Sequence, residues 1–316
     1  MKAGGAQPRI SVIISSRNRA ASLLRCLQYF DAAAMQQCKA ELVLVDNGSS
    51  DGTFEVMCNF RDHVEFPVAV VREERCGLSN ARNTGMALSR GELIVFTDDD
   101  CYIAPNFLQT VEKVFSTQAI DYCGGRILLF DESDSHYGCD LNATFHPIPP
   151  RTILDPGDIQ GANMIFRRAV IDRVGGFDTR LGAGTPFRCE DIDYCTRASW
   201  AGFLGAHFPE LVVYHHHGRK PGKDIRELER ANQYADGAFY AKCFFSGILS
   251  AKGCLWILRE QLTRIWNESR GALAFTLLLA KERFRGKRPS SDVAGAAARE
   301  QVLRSELSSP SPSSHT

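Results

Sequence analysis

Glu92-Leu93-Ile94-Val95-Phe96-Thr97-Asp98-Asp99-Asp100 is a run of strand-forming apolar residues that ends in three consecutive carboxylates. Buried charge is costly unless it is paired or binds a cation. A strand tip with three acids therefore calls for a divalent metal or a basic partner. In an extended chain Asp98 and Asp100 share one side, because side chains alternate. Two hard oxygen ligands at that spacing suit Mg²⁺ or Mn²⁺. These ions complete their shells with water and substrate phosphates, at about 2.0–2.1 Å for Mg²⁺. For an isolated acidic run, a solvated surface turn is the competing reading.

The sequence upstream repeats one unit. Ile10–Ser15 reads as a buried strand, followed by Arg17-Asn18-Arg19 and a helical pattern from Ala21 to Phe30. Glu41–Val45 is a second strand, ending in the turn chemistry of Asp46-Asn47-Gly48 and Asp51-Gly52. Thr53–Phe60 is helical and Val68–Val71 a third strand. Gly77-Leu78-Ser79-Asn80-Ala81-Arg82-Asn83 opens a helix that stops at Gly91. This alternation predicts an α/β fold with a mostly parallel sheet and helices on both faces. Ligands of such sheets sit at the carboxyl ends of the strands, which is where Ser15–Arg19, Asp46–Ser49 and Asp98–Asp100 fall.

The second half is less regular. Phe130–Asp158 reads as a long loop or lid, Gly161–Phe166 as a short strand and Arg168–Val174 as a short helix. Glu190-Asp191 starts a helix that runs to Ala201. Leu211–Tyr214 is a strand ending at His215-His216-His217, where alternation lets His215 and His217 aim one way. Helices are expected from about Arg226 to Arg285. A Ser/Pro-rich tail over 289–316 is expected to be disordered, apart from a short helix near Ala296–Leu307.

Composition narrows the function classes. The chain has 316 residues, 44% of them apolar, enough for a large core, and its formal net charge is zero, so it carries no overall nucleic-acid footprint. Residues 219–288 differ, with 15 Lys/Arg against 7 Asp/Glu. That basic region also holds Phe244, Phe245, Trp256 and Leu277–Leu279. It can pack on the catalytic domain or lie on an anionic membrane surface. Eleven cysteines without a C-x-x-C pair suggest reduced thiols and a cytoplasmic protein. No signal peptide is expected at the start. The nearest candidate for a membrane span, Ala272–Ala280, is shorter than the roughly 18 residues required.

Taken together, Val12–Arg19, Val43–Thr53, Ala81–Gly85 and Phe96–Asp100 resemble the family 2 glycosyltransferases of the GT-A fold. Gly161-Ala162-Asn163, Gly175-Gly176-Phe177-Asp178 and Glu190-Asp191-Ile192-Asp193 continue the likeness, in order, across residues 10–217. The resemblance implies a nucleotide-diphosphate sugar donor, Mn²⁺ or Mg²⁺, and inversion at the anomeric carbon. It implies a GT-A domain at about 8–218, with a donor half to about 125 and an acceptor half from about 126, followed by the basic helical region 219–288. Ser15, Arg17, Asp46 and Asn47 would line the base and ribose pocket. Arg82 would contact the diphosphate or lie on the helix surface. Asp98–Asp100 would touch ribose (Asp98, Asp99) and hold the metal (Asp98, Asp100), with His215 completing its shell. Asp191 matches the general base; Asn163 and Glu190 match the acceptor side.

Elementary chemistry stands beside the resemblance. A divalent ion on the diphosphate offsets the charge that develops on the leaving group. A separate carboxylate must take the acceptor's proton and must not be a metal ligand; Asp191 lies on a different element from the metal acids. Helix N-terminal capping is the simpler role for Glu190-Asp191. Two departures stand out. Many relatives carry two acids where this chain has Asp46-Asn47. Gln261-Leu262-Thr263-Arg264-Ile265-Trp266 only approximates the Q-x-x-R-W motif of processive synthases, so transfer of a single sugar is expected. The acceptor is expected to be a glycan or a lipid-linked oligosaccharide, with peripheral contact at the inner face of the plasma membrane as the companion expectation. The rival readings are a non-catalytic nucleotide-sugar-binding scaffold and a sugar-nucleotide nucleotidyltransferase. The latter needs a Gly-rich N-terminal loop, and residues 10–20 contain no glycine.

Overall fold

Strands rich in Val, Ile and Leu, with no polar alternation, must be covered on both faces, and the chain meets that demand with two helical layers. A computed structural model describes residues 7–250 and 265–284. Its elements are β1 (Ile10–Ser16), α1 (Ala20–Leu27), α2 (Ala32–Gln37), β2 (Ala40–Asp46), α3 (Thr53–His63), β3 (Val68–Arg72), α4 (Leu78–Leu88) and β4 (Leu93–Asp98). There follow β5 (Cys101–Ile103), α5 (Phe107–Thr117), β6 (Tyr122–Leu129), β7 (His146–Ile148), β8 (Met164–Arg167), α6 (Arg168–Val174), α7 (Glu190–Trp200), β9 (Gly205–His215), α8 (Lys223–Phe245) and α9 (Ile265–Phe284).

The sheet order is β3-β2-β1-β4-β8-β6-β9-β5, with β7 added beside β9. β3, β2, β1 and β4 are parallel, whereas β8 pairs antiparallel with both β4 and β6. Strand order reverses at β1, since β2 and β3 lie to one side of it and β4 to the other. A crevice opens at the carboxyl ends of strands at such a reversal. Alternate residues of one strand serve opposite layers. Val12 and Ile14 of β1 pack with α1, α2 and α5, while Ile13 packs with α4 and with Phe166 and Phe177.

The parallel half follows the expected units, with one difference. The first helical pattern stops at Leu27, and a second short helix, α2, begins after Asp31, whose carboxylate accepts from the Ala34 N–H at 2.8 Å. The antiparallel half holds elements that the sequence pattern did not resolve: β5, α5, β6 and the three-residue β7 inside the long 130–158 loop. β9 is longer than expected, starting at Gly205, and its register against β6 shifts between Gly125 and Arg126.

α8 and α9 pack on each other and on the catalytic layer: Ala235, Ala238, Phe239 and Phe275 share a core with Phe187 and Tyr194. Their backbones approach closely at Gly271, where a Cβ would sit 1.7 Å from the Tyr234 carbonyl oxygen. Lys242 of α8 fastens the pair to the domain through Asp178 (2.8 Å) and Asp193 (2.6 Å), all three side chains being largely buried. The segments 251–264 and 285–316, including most of the Q-x-x-R-W-like stretch, Trp256 and the expected tail helix, lie outside the described residues.

Two outcomes follow from this anchor. Lys242→Met strips a buried cation from two carboxylates and should destabilise the protein by about 3 kcal/mol in urea unfolding. Lys223→Met, on the exposed pair with Glu227, should cost about 0.5 kcal/mol or less; equal losses would contradict the anchor. Burial works to raise the Asp178 carboxyl, but hydrogen bonds and charge from Arg180 and Lys242 hold it well below the usual range. A depressed native pKa gives stabilisation that is complete above the unfolded value of about 3.9 and fades as pH falls below it. The stability gap between wild type and Asp178→Asn should therefore begin to narrow as pH falls through about 4 and still be closing below about pH 2.

Candidate functional site

Parallel register brings the polar strand ends together: Ser15 lies beside Asp98, and Ser16 beside Asp46. β4 stops at Asp98, and Asp99-Asp100 form the turn into β5. The alternation argued for an extended chain therefore does not run on to Asp100, and the three acids diverge. Asp98 keeps a third of its side chain exposed and faces Arg82 at 3.4 Å. Asp99 is buried, accepts from the Ser16 hydroxyl at 2.5 Å and pairs with Arg19 at 2.8 Å. Burial pushes its carboxyl up to about 7, against the pull of Arg19. Asp100 pairs with Arg19 at 2.6 Å and faces His215 Nε2 at 3.3 Å. Burial acts to raise the Asp100 carboxyl, but His215, Arg19 and Arg219 hold it at about 2.

Arg82 of α4 is the centre of the arrangement. Its guanidinium is 3% exposed and donates to Glu190 Oε1 at 2.8 Å, to the Gly161 carbonyl at 3.2 Å and to Asp98. Phe96 and Phe177 flank it, with ring centroids 6.0 and 5.6 Å away. Burial and the charge of Asp191 push the Glu190 carboxyl up, and Arg82 opposes them. The resemblance left Arg82 between a diphosphate contact and a surface charge; here it is buried and joins β4, the 161 turn and α7.

Asp191 begins α7. One carboxylate oxygen accepts from the Gly161 N–H at 2.8 Å and the other from its own helix at the Ile192 N–H, also at 2.8 Å. Two N–H donors orient the group and leave other lone pairs available. Asp191 also borders a cavity of about 920 Å³ bounded by the 137–160 segment, α7 and α8.

The remaining expected residues divide into two groups. Ser15 Oγ and Asp46 Oδ1 are buried without a hydrogen-bond partner among the described residues, at the ends of β1 and β2. The other Asp46 oxygen pairs with Arg72 at 2.8 Å. Arg17 is exposed and contacts the Cys76 sulfur. The two asparagines serve the backbone. Asn47 donates to the Glu73 and Arg75 carbonyls and accepts from the Gly77 N–H, shaping the loop before α4. Asn163 is buried and donates to the Arg126 and Leu211 carbonyls across the register shift. Sequence reading quoted Arg19 without a role and passed over Arg72 and Arg219. Their one signal was position, since each follows or ends a strand near the acids.

Asp100, Cys101 and His215 present ligand atoms within 4.8 Å of one another, and His215 Nδ1 is buried without a hydrogen-bond partner among the described residues. Burial pushes the Cys101 thiol well up, so it stays protonated and is a poor partner for a hard ion. Carboxylate and imidazole donors suit Mn²⁺ or Mg²⁺, and Asp98 lies at the same strand tip outside that close group. His215 and His217 share a side, their rings 4.9 Å apart, while His216 turns to the Tyr102 hydroxyl.

The profile described as glycosyl transferase family 2 matches residues 11–175. Glycosyltransferase AglE of Haloferax volcanii is 26% identical over 227 residues, 72% of each chain. An uncharacterized glycosyltransferase of Nostoc is 25% identical, covering 87% of this chain and 91% of its own. Among solved structures, a mannosyltransferase of Pyrobaculum calidifontis in complex with GDP-Man and Mn²⁺ superposes with a TM-score of 0.55 at 19% identity, covering 96% of this chain and 81% of that one. TarS of S. aureus in complex with UDP-GlcNAc gives 0.53 at 18%, covering 74% and 71%. These two establish a shared GT-A-like fold.

Arg82 fills the space where Gly161 has no side chain: an added Cβ would lie 2.5 Å from the guanidinium. Gly161→Ala should overpack the centre and destabilise the protein by about 1–3 kcal/mol in urea unfolding. A variant as stable as wild type would show that the guanidinium is loosely held.

Proposed function

The chain belongs to glycosyl transferase family 2, and from that premise we propose that it moves one sugar from a nucleoside-diphosphate sugar to an acceptor hydroxyl, with inversion and with Asp191 as general base. The observation that carries this reading is the Arg82 network, in which one buried guanidinium joins Asp98 at the tip of β4 to Glu190 at the start of α7. The unpartnered Ser15 hydroxyl and Asp46 oxygen support a nucleoside pocket beside β1 and β2, with Arg17 and the Asn47-shaped loop at its edge. In this assignment Asp98 and Asp99 mark the ribose side, and Asp98, Asp100 and His215 would hold Mn²⁺ or Mg²⁺. Bound there, the ion would offset negative charge on the diphosphate leaving group.

The chain's own groups do the rest. Asp191 accepts the proton of the attacking hydroxyl, its carboxylate aimed by the two N–H donors. Glu190 and Arg82 position that helix end, and Glu190 lies toward the acceptor; Asn163 holds the backbone on that side through its amide N–H groups, and its Oδ1 is buried without a hydrogen-bond partner among the described residues. The acceptor is proposed as a glycan or a lipid-linked oligosaccharide. No helix among the described residues is long and apolar enough to cross a membrane. Leu273 and Leu277 on α9 are 61% and 60% exposed, and with the basic excess of 219–288 they support peripheral contact with an anionic membrane.

The test uses UDP-, GDP- and dTDP-sugars with Mn²⁺, Mg²⁺ or EDTA, and measures release of nucleoside diphosphate by wild type and Asp191→Asn. One donor should be turned over in a metal-dependent way, and the variant should be slower by roughly 10²–10⁴-fold. Turnover undiminished in Asp191→Asn would remove the base assignment. Calorimetry showing no metal-dependent nucleotide binding would remove the donor assignment.

A further inference from the structure

The cavity beside Asp191 has a wall that lies beyond the matched family profile. The matched profile ends at residue 175, whereas the far side of the cavity is built by α8, from Glu229, Asn232 and Tyr240. These residues recur at helical spacing on one face. Asn232 reaches across to the 137–160 segment and donates to the Tyr137 hydroxyl at 2.6 Å. A smaller pocket continues from Asp191 past Glu190 to Ala183, whose carbonyl accepts from the first N–H of α4. The cavity thus opens next to the carboxylate assigned as base and toward the element that carries Arg82.

The cavity is lined by an excess of acidic side chains. Asp155, Asp191, Glu229 and Asp236 line the cavity together with Arg188, and Glu190 and Arg219 line the smaller pocket that continues it. At the strand ends of β1, β2 and β4 the acids are instead matched by arginines: Arg19 pairs with Asp99 and Asp100, Arg72 with Asp46 and Arg82 with Asp98. Like charges brought together at a binding surface are strongly unfavourable. An anionic ligand is therefore disfavoured on the α8 side, where the acids outnumber the cations. Tyrosine rings with amide and carboxylate groups suit a ligand with apolar faces and many hydroxyls.

We propose that this cavity is the acceptor subsite, that it admits a neutral sugar and rejects one carrying phosphate or carboxylate, and that α8 sets this choice through Asn232 and Glu229. The proposal rests on the glycosyltransferase reading above. It places the nucleophile on a sugar hydroxyl and excludes a phosphate oxygen. The hydroxyl oxygen bonds to the anomeric carbon as the bond from that carbon to the nucleoside diphosphate breaks. The hydroxyl proton goes to Asp191, and the electron pair leaves with the diphosphate.

The full chain, supplied with its donor and Mn²⁺, is assayed against octyl glycosides of glucose, galactose, mannose and N-acetylglucosamine, and against octyl glucuronide and octyl glucoside 6-phosphate. At least one neutral glycoside should be glycosylated, and the anionic compounds should show kcat/KM lower by roughly 10-fold or more. Asp155→Asn combined with Glu229→Gln should narrow that gap. Asn232→Ala should raise the acceptor KM more than the donor KM, with Asn232→Gln recovering part of the loss. Anionic glycosides used as well as neutral ones, or acceptor and donor KM moving together in Asn232→Ala, would overturn the proposal. So would a chain that binds donor in calorimetry and accepts no neutral glycoside. Absence of donor binding itself would instead overturn the underlying donor assignment, and this proposal with it.

Discussion

The site is organised by one buried guanidinium. Arg82 is surrounded by acceptors from three separate elements: a carboxylate at the tip of β4, a carbonyl in the turn before β8 and a carboxylate at the start of α7. Each of those groups would be unfavourable in that position without it. Asp98, Glu190 and Asp191 would repel one another, and the Gly161 carbonyl would lose its donor. Removing one partner of such a buried cluster typically costs about 3–5 kcal/mol. The ion pairs therefore act as a spacer as well as a bond: they set how far the acid tip of the parallel sheet lies from the helix that carries Asp191.

Legibility in the sequence follows how local each cause is. β1 through β4 could be read because a parallel strand covered on both faces leaves a continuous apolar run, and the reversal at β1 then locates the crevice. Asp191 at a helix start and His215 at a strand end were legible for the same reason, since their positions follow from the ends of periodic segments. The antiparallel half was not. β5 and β7 are three residues each, too short to carry a period, and β9 contains Pro209 and a register shift. Partners were also hidden. Asn47 and Asn163 sit in motifs that suggest ligand contact, yet their amides are used by backbone groups far away in sequence. Arg19 meets Asp99 and Asp100 across some eighty residues, a pairing that spacing along one chain cannot reveal.

The two layers divide the work. The layer of α1, α2, α3 and α5 is an apolar support for the strand ends that carry the acids and arginines. The opposite layer, α4 with α6 to α9, carries Arg82, the α7 carboxylates and the cavity beside them. α8 and α9 belong to this second layer through Phe239 and Phe275 and through the Lys242 ion pairs. The basic C-terminal region thus contributes an apolar and polar inner face to the core and the cavity, while its exposed leucines lie on the outside.

The central claim is that Arg82 couples the acid tip to the acceptor helix as one unit. A double-mutant cycle between Arg82→Met and Glu190→Gln, read in metal-dependent nucleotide binding and in donor turnover, tests it directly. Groups in one buried network should show a coupling of about 1–3 kcal/mol, so that the double variant is impaired little more than the worse single one. Additive losses, with each substitution acting independently, would contradict the account.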